Sequence, residues 1–258
     1  MCADYNPLEL LVCIGSRVIE DNSTVFVGTG VPMAATMLAQ KLHCPNVIAI
    51  FEAGSMAPQM PGLPISVGDS RTSYKALVAS TMNDVFEMCQ RGMVDYTFLG
   101  GAQIDMYGNL NSTLIGGDDY QQPKVRFPGS GGANDLASLC WRTVVISPMD
   151  NRRFVEQVDF ITSPGYLNGK GAREAAGLPK DTGPYKVVTN LCILGYDEDT
   201  CRMRIESLHP GVTVEEVQEN CGFELLKAAK LETTHPPTDE ELRILREEVD
   251  PDGYIIGR

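Results

Sequence analysis

The sequence predicts an α/β protein with an open, mostly parallel sheet, flanking helices and an antiparallel C-terminal extension. Strand and helix signals alternate through the first 165 residues, which is typical of βαβ units in a parallel sheet. After about residue 185 the pattern changes to strands joined by a turn, which predicts antiparallel pairing. The 258 residues are ample for one large α/β core, so we expect a single domain over residues 1–258.

The first half of the chain alternates amphipathic helices with short apolar strands. Asn6 is the predicted N-cap of the first helix, with Pro7 at the first helical position and Glu9 completing a capping box. Pro32 lies in the first turn of the second helix, and a Pro/Gly/Met-rich loop is expected over residues 53–70. The predicted strands are TVFVG, NVIAIF and DYTFLGG, and the second and third helices are VPMAATMLAQKLH and TMNDVFEMCQRG.

The second half of the chain continues this alternation and then leaves it. A turn at MYGN precedes a predicted helix, GGANDLASLC, and a predicted strand, RTVVIS. A hairpin is expected around DEDT. Two C-terminal helices begin with predicted capping boxes: Thr213 with Glu216 opens a short helix that Gly222 ends, and Thr238 with Glu241 opens the last helix.

The composition argues against several classes of function. The chain has 21 Lys and Arg against 34 Asp and Glu, so its net charge is 21 − 34 = −13, which disfavours binding to nucleic acid or an anionic membrane. The first residues lack the basic and apolar regions of a secretory signal, and no apolar run is long enough to span a membrane. We therefore expect a cytoplasmic protein without membrane contact.

The cysteines and histidines do not form a metal-binding pattern. None of the eight cysteines lies in a C-x-x-C motif, and we expect reduced, mostly buried thiols, as in the cytosol. His43, His209 and His235 are far apart, and none stands at ligand spacing from a cysteine. No metal site is predicted.

Glycine-rich segments follow the early strands. GTG covers residues 28–30, EAG covers 52–54 and GGA covers 100–102, while GSGGAND at 129–135 leads into a helix. Ligands of open parallel sheets bind at the carboxyl ends of the strands, and glycines there free backbone N–H groups to contact anionic atoms. The sequence therefore predicts a ligand crevice with Glu52 inside it.

Three interpretations of Glu52 are open at this point. As a structural acid it would be held by backbone N–H groups or by a partner arginine. As part of a dinucleotide-binding fold it would follow a G-x-G-x-x-G motif, but Met33 takes the third glycine position and Pro32 stands where the tight turn enters the helix. As a nucleophile it would attack an acyl carbon while nearby N–H groups stabilise the oxyanion.

Six motifs, in this order along the chain, resemble those of a known family. They are VGTGVPMAA, FEAGSM, SVGDSR, FLGGAQIDMYGNLNSTLIGG, KVRFPGSGGANDLAS and RRFVEQVDFITSPGYLNG. Together they resemble the β subunits of family I CoA-transferases, in particular those of the glutaconate CoA-transferase type. The likeness extends from about residue 24 to REEVDP near the C-terminus. GTGVP and GSGGANDL also resemble loops of succinyl-CoA:3-oxoacid CoA-transferases.

The resemblance implies a ping-pong transfer of CoA between an acyl-CoA and a free carboxylic or dicarboxylic acid. Glu52 matches the family's nucleophilic glutamate, which forms a mixed anhydride and then a glutamyl–CoA thioester. The residues that match the family's oxyanion and substrate loops are Gly28, Thr29, Gly30, Gly54, Gly131, Gly132 and Ala133. The implied CoA-binding residues are Gly100, Gly101, Ala102, Gln103 and Lys124, with Arg126 as a further candidate for an anionic group.

The resemblance also implies a partner and a substrate rather than a cofactor. The family's active site lies between this type of chain and an α subunit of similar fold, so we expect activity only in a heterotetramer or larger heteromer. The CoA thioester is a substrate, and no tightly bound cofactor is expected. The NRRF segment at 151–154 is interpreted as a surface or interface feature.

One alternative lies within the same superfamily. It is an acyl-CoA hydrolase or lyase, of the steroid-ring-opening or glutaconyl-CoA-decarboxylating type, and the segment SLHPGVTVEEV at 207–217 resembles the hydrolase subunit. Those relatives have lost or replaced the glutamate. Because this chain keeps Glu52 with Gly54 behind it, the transferase interpretation is favoured.

Overall fold

The computed structural model describes residues 4–116 and 119–257. The chain divides into two compact units, the first with residues 4–98 and 235–257 and the second with the remaining described residues. The helices are α1 (Pro7–Arg17), α2 (Val31–Leu42), α3 (Met82–Gln90), α4 (Ala133–Leu139), α5 (Ala172–Ala175), α6 (Val214–Glu219) and α7 (Asp239–Ile244). The strands are β1 (Thr24–Phe26), β2 (Ile48–Ile50), β3 (Ser55–Met56), β4 (Val78–Ala79), β5 (Tyr96–Leu99), β6 (Gln103–Ile104), β7 (Leu110–Asn111), β8 (Leu114–Ile115), β9 (Val125–Arg126), β10 (Arg142–Ile146), β11 (Gly183–Val188), β12 (Cys192–Tyr196), β13 (Met203–Leu208) and β14 (Leu226–Thr233).

The first unit is built on strands whose central pairs are parallel. β1 pairs in parallel with both β2 and β5, and β3 and β4 continue the sheet beyond β2 in antiparallel pairs. The register sets Phe26 opposite Ile50, so β1 and β2 end side by side. Both strands are apolar and buried at their carboxyl ends, as expected for parallel strands. This arrangement brings the segments that follow β1 and β2 to one edge.

Helices α1, α2 and α7 pack against one another in the same unit. α1 begins as predicted: the Asn6 side chain accepts hydrogen bonds from the first turn, and the Glu9 carboxylate accepts one from the Asn6 N–H at 2.9 Å. Two ion pairs connect α1 to the C-terminal segment, Arg17 to Glu241 at 2.6 Å and Arg246 to Glu9 at 2.6 Å.

The second unit is built on β10 to β14. β10 and β11 are parallel, β11, β12 and β13 form an antiparallel meander, and β14 returns parallel to β13. The predicted DEDT turn joins β12 to β13, where the Asp197 carboxylate accepts hydrogen bonds from the Thr200 N–H and hydroxyl. Two small hairpins, β6–β7 and β8–β9, carry the segment between β5 and α4.

The structure confirms the predicted fold class and adds elements that the sequence did not indicate. The segment predicted as a loop at 53–70 contains β3, and β4 follows it; strands of two residues carry too little pattern to be predicted. The helix after Thr213 ends at Glu219, before the predicted stop at Gly222. The last helix changes to π-helical spacing over Leu245–Val249. The single domain over the whole chain stays a prediction.

Membrane-spanning helices and clusters of metal-ligating side chains were both sought in the described ranges. No helix within residues 4–116 and 119–257 is long and apolar enough to cross a membrane. In the same ranges no three His, Cys, Asp or Glu side chains are grouped to hold a metal ion, and the seven cysteines there form no disulfide. Burial raises the pKa of the Cys13 and Cys192 thiols to about 12, so these thiols are inert.

Candidate active site

Glu52 lies in a tight turn at the carboxyl end of β2. The strand ends at Ile50, Phe51 is fully buried, and the Phe51 carbonyl accepts a hydrogen bond from the Gly54 N–H at 2.9 Å. This bond closes a turn whose two central residues are Glu52 and Ala53. The buried strand is therefore a firm support for Glu52, which is a half-buried residue.

The Glu52 carboxylate has no partner within the described ranges. Its oxygens accept no hydrogen bond there and form no ion pair. A structural acid in this position would be paired, because burying a charge without a partner costs free energy. The structural interpretation of Glu52 therefore loses its support, and a carboxylate available to a ligand is the interpretation that fits.

Gly54 is required by packing against the neighbouring backbone. Its φ is +107°, and a Cβ at this position would lie 2.2 Å from the Ser80 carbonyl oxygen. The Ser80 N–H donates to the Gly54 carbonyl at 3.0 Å, so the two segments lie in direct contact. The resemblance assigns Gly54 to a substrate loop; the structure gives this glycine a different reason, namely that it fixes the turn that carries Glu52.

The loop at 28–30 lies beside the Glu52 turn. β1 and β2 are paired up to Phe26 and Ile50, and the Val27 N–H donates to the Ile50 carbonyl at 2.9 Å, so the loop and the turn leave the sheet side by side. Gly30 has a φ of 82°, borders open space and precedes α2, whose first turn has neither a capping side chain nor an acidic residue. The N–H groups of Gly28, Thr29 and Gly30 make no hydrogen bond within the described ranges. Together with the positive end of α2, they can stabilise an oxyanion near Glu52.

The same loop does not suit a dinucleotide. Met33 stands where the third glycine of the fingerprint would allow the helix to approach the sheet, and its side chain is completely buried in the core. Pro32, at the beginning of α2, has no N–H to offer a phosphate. The dinucleotide interpretation of Glu52 is therefore not supported.

In the second unit, Gly101 and Ala102 line a cleft of about 560 Å³. A Cβ on Gly101 would lie 3.1 Å from the Gln103 carbonyl oxygen and 3.3 Å from that of Asn111, so the backbone here is tightly folded. Gly100, which precedes them, is exposed. Three of the five predicted CoA-binding residues are thus accessible at one place in the chain.

The turn that follows is held by a buried acid. The Asp105 carboxylate accepts hydrogen bonds from the N–H groups of Tyr107 and Asn109 and from the Asn109 side chain at 2.9 Å. Burial raises the pKa of Asp105, although these hydrogen bonds oppose the rise. The Asn109 side-chain oxygen in turn accepts the N–H of Gly165 at 2.9 Å. The predicted MYGN turn is therefore a rigid support for the glycines before it.

Two predicted CoA-binding residues behave differently from the glycines. Gln103 is only 6% exposed. Its side-chain N–H donates to the Asp159 carboxylate at 2.8 Å, and its side-chain oxygen accepts a hydrogen bond from the Asn111 amide at 2.6 Å. We therefore assign Gln103 a structural role instead. Lys124 is exposed, and its aliphatic stem packs against Gly116. A Cβ added to Gly116 would lie 2.8 Å from the Lys124 Cδ.

Arg126, the further candidate for an anionic group, is already engaged. Its guanidinium lies 4.5 Å from the centre of the Tyr120 ring and also donates to the Tyr120 carbonyl. The guanidinium is therefore held against the hairpin surface.

The GSGG segment forms the uncapped beginning of α4. Gly132 is the N-cap, without a capping side chain, and Gly131 has a φ of +51°. The Ala133 N–H donates to the Ser130 carbonyl at 2.9 Å, so it is not free to stabilise an oxyanion. The N–H groups of Gly131 and Gly132 make no hydrogen bond within the described ranges. Gly131 and Gly132 therefore remain candidates for contact with an anionic group, while Ala133 does not in this conformation.

Comparison with known protein families identifies the chain. The family model described as Coenzyme A transferase matches residues 15–220. The chain belongs to the coenzyme A transferase family. The match includes Glu52 and all the glycine-rich segments described above.

Named relatives in this family are subunits of larger enzymes. The chain is 38% identical to a subunit of the glutaconate CoA-transferase of Acidaminococcus fermentans, over 98% of this chain and 96% of that protein. It is 37% identical to a subunit of the 3-oxoadipate CoA-transferase of Pseudomonas knackmussii, over 94% and 92%. The solved structure of glutaconate coenzyme A-transferase from A. fermentans superposes with a TM-score of 0.93 at 35% identity, and each chain covers 100% of the other.

A hydrolase relative is more distant. The cholesterol ring-cleaving hydrolase subunit of Rhodococcus jostii is 32% identical over 65% of this chain and 64% of that protein. The chain is thus more similar to the CoA-transferase relatives than to this hydrolase, in identity and in the length aligned.

One feature of the second unit went unrecognised in the sequence. Arg152 and Arg153 line the same cleft as Gly101 and Ala102. The signal was the charged pair in NRRF, interpreted from the sequence as a surface or interface feature. Its contact with the GGA segment depends on pairing between distant parts of the chain.

Proposed function

We propose that the chain is the β subunit of a CoA-transferase that moves CoA between an acyl-CoA and a free carboxylic or dicarboxylic acid. The observation that carries the proposal is that Glu52, a half-buried residue at the end of a parallel strand, has a carboxylate without a partner in the described part of the chain. The CoA-transferase names of the two relatives aligned over more than nine-tenths of the chain support it.

The proposed reaction uses Glu52 as a nucleophile. Its carboxylate attacks the thioester carbonyl and forms a mixed anhydride while CoA leaves as a thiolate. The thiolate then attacks the glutamyl carbonyl, which gives a Glu52–CoA thioester and releases the donor acid. The acceptor carboxylate reverses both steps and leaves as the new acyl-CoA.

The free N–H groups of the loop at 28–30 are suited to the charge that develops in this reaction. Each attack places a negative charge on a carbonyl oxygen, and one backbone donor for such an oxyanion is worth about 3–4 kcal/mol. Because β1 and β2 end side by side at Phe26 and Ile50, the loop after β1 leaves the sheet at the same edge as the Glu52 turn. We assign oxyanion stabilisation to this loop.

The transfer also needs water to be excluded, because hydrolysis would destroy the activated glutamyl group. We propose that an α subunit supplies this cover, in a heterotetramer or larger assembly. An exposed apolar stretch supports the proposal: Leu77 is 83% exposed, and Val78 and Met82 are also exposed. Ser80, within this stretch, bonds directly to Gly54, so a partner that covers Leu77 would lie next to the Glu52 turn.

We also propose that the enzyme is cytoplasmic and works without a tightly bound cofactor. No disulfide joins the seven cysteines within the described ranges, and six of them are buried, which fits a reducing compartment such as the cytoplasm. The CoA thioester supplies the only chemistry that the mechanism needs beyond Glu52, so the enzyme would require no bound cofactor or metal.

A second candidate is an acyl-CoA hydrolase or lyase, supported by the likeness to the cholesterol ring-cleaving hydrolase subunit. Glu52 separates the two, because only transfer requires a covalent carboxylate. Release of free CoA at the rate of turnover, with no acid acceptor present, would favour the hydrolase.

Replacement of Glu52 tests the proposal. In the complex with the α subunit, Glu52→Ala should abolish exchange between acyl-CoA and labelled acid while the melting temperature stays unchanged. Glu52→Asp shortens the reach by about 1.5 Å and should lose roughly a hundredfold in rate. Normal exchange in the alanine variant would refute the nucleophile assignment.

A further inference from the structure

The cleft that holds Gly101 and Ala102 combines apolar walls with a cationic rim. Ile115, Phe127 and Pro128 supply the walls. The charged residues that line it are Asp150, Arg152 and Arg153, which sum to one positive charge in a chain with a net charge of −13. A local positive site in so acidic a protein indicates an anionic ligand.

The arginine pair is fixed beside the glycine motif by backbone hydrogen bonds. The Ile104 N–H donates to the Arg153 carbonyl at 2.7 Å, and the Val155 N–H donates to the Ile104 carbonyl at 3.0 Å. The Asp150 carboxylate accepts the Arg152 N–H at 2.9 Å. The segment that carries both guanidinium groups therefore keeps its position relative to β6.

The two arginines differ in how far they are engaged. The Arg153 guanidinium donates to the Gly101 carbonyl and to the Asp150 carboxylate, both at 3.3 Å, so it buttresses the glycine backbone. The Arg152 side chain is 94% exposed, makes no side-chain hydrogen bond within the described ranges and approaches Asp150 only at 3.7 Å. This loose ion pair engages only Nε, so the terminal N–H donors of the guanidinium remain available for an external oxyanion.

The opposite wall leads into the second glycine motif. The Phe127 N–H donates to the Thr113 carbonyl at 2.9 Å, and the Gly129 N–H donates to the Ser112 carbonyl at 3.0 Å. The Ser112 hydroxyl also donates to the Gly129 carbonyl at 3.1 Å. The cleft is therefore bounded on both sides by fixed backbone.

We infer that this cleft binds the nucleotide end of the CoA thioester, with Arg152 contacting its phosphate oxygens and the apolar walls contacting the uncharged part. The inference rests on the proposed function and names the part of the substrate that this face recognises. A phosphate fits better than an acyl carboxylate, because it carries more charge and the guanidinium lies at the exposed rim. In this assignment Arg153 positions the Gly101 backbone, and Arg152 binds the phosphate oxygens of CoA.

The test measures CoA binding, which does not require transfer. The complex of this chain with its α subunit is titrated calorimetrically with CoA, dephospho-CoA and pantetheine. Arg152→Ala should raise the Kd for CoA by about tenfold, the loss expected for a charge-assisted hydrogen bond. Arg152→Lys should recover part of the affinity, and pantetheine should bind wild type and variant alike. Lys170→Ala is the matched control, since Lys170 is an exposed cation of the same unit with a comparably loose ion pair to Asp199 at 3.6 Å.

Three results would count against the inference. Unchanged CoA affinity in Arg152→Ala overturns it while the proposed function stands. A defect confined to the KM of dicarboxylic acids, with CoA affinity unchanged, assigns the arginine to a substrate carboxylate and overturns the phosphate assignment. Failure of the wild-type complex to bind CoA overturns the proposed function and this inference with it.

Discussion

Gly54 holds the Glu52 turn against the backbone that follows β4. Its carbonyl accepts the Ser80 N–H, and its missing side chain leaves room for the Ser80 carbonyl. The position of the carboxylate therefore depends on a contact made two residues away. Replacement of this glycine should disturb both stability and activity.

We predict that Gly54→Ala destabilises the protein by about 3 kcal/mol or more, because strain at a positive φ adds to a backbone clash. Gly171→Ala is the matched control: Gly171 also has a left-handed backbone, with a φ of 81°, but borders open space. The control should lose only about 1–2 kcal/mol. Urea unfolding of both variants measures the difference, and equal losses would show that the contact with Ser80 is not close.

At the scale of elements, the ion pair between α1 and the C-terminal segment makes the fold sensitive to acid. A hydrogen bond from Arg246 lowers the pKa of Glu9 below its ordinary value of 4.5, although burial opposes the shift. A carboxyl whose pKa is lowered by folding stabilises the protein above the pKa of the unfolded chain, and this stabilisation is lost as the pH falls. Glu9 itself is 4% exposed, so the pair is screened on one side only.

Arg246→Ala should therefore lower the free energy of unfolding at pH 7 by about 1–3 kcal/mol, less than for a fully buried pair because Arg246 is partly exposed. The difference between variant and wild type should shrink as the pH falls from 5 towards 3. Denaturant unfolding across this range measures it. Arg243→Ala, which removes only exposed ion pairs, should change stability by less than about 0.5 kcal/mol. A loss that does not vary with pH would contradict the electrostatic origin.

Elements with strong local patterns were predictable, and elements that depend on distant pairing were not. The capping boxes at Asn6 and Thr238 and the turn at DEDT are local, and the structure has all three. β3, β4 and β14 exist because of the strands beside them, and nothing within their own residues indicates a partner. A propensity acts over a few residues, whereas pairing across the chain is decided by tertiary packing.

Some features of the candidate site could likewise be predicted from the local sequence, whereas others depend on distant contacts. The strand-end position of Glu52 and the open loop at 28–30 follow from the apolar run and the glycines, which the sequence displays. The hydrogen bonds that occupy Gln103 and Ala133, and the exposed guanidinium of Arg152, depend on segments far along the chain. Which members of a motif contact solvent could not be predicted from the motif itself.

At the scale of the whole molecule, the exposed apolar residues of the first unit point to assembly. Leu77→Asp should greatly reduce recovery of the α subunit in co-purification, because a charge at the centre of an apolar interface is costly to bury. Met93→Asp, at another exposed apolar site of the same unit, should leave assembly intact. Both variants should fold, as circular dichroism can verify. Full assembly of Leu77→Asp would place the partner surface elsewhere.

The central claim is that the Glu52 carboxylate forms a mixed anhydride with the acyl group and then a thioester with CoA. Direct trapping of these intermediates tests it. The complex with the α subunit is incubated with acyl-CoA, quenched with hydroxylamine and digested with trypsin. Peptide 42–71 contains Glu52 and Asp69 as its only acidic side chains, so fragmentation in the mass spectrometer can show which of the two carries a hydroxamate. We predict a hydroxamate on Glu52 and none on Asp69, formed only when acyl-CoA is present. An unmodified peptide from an enzyme that is transferring CoA would contradict the account.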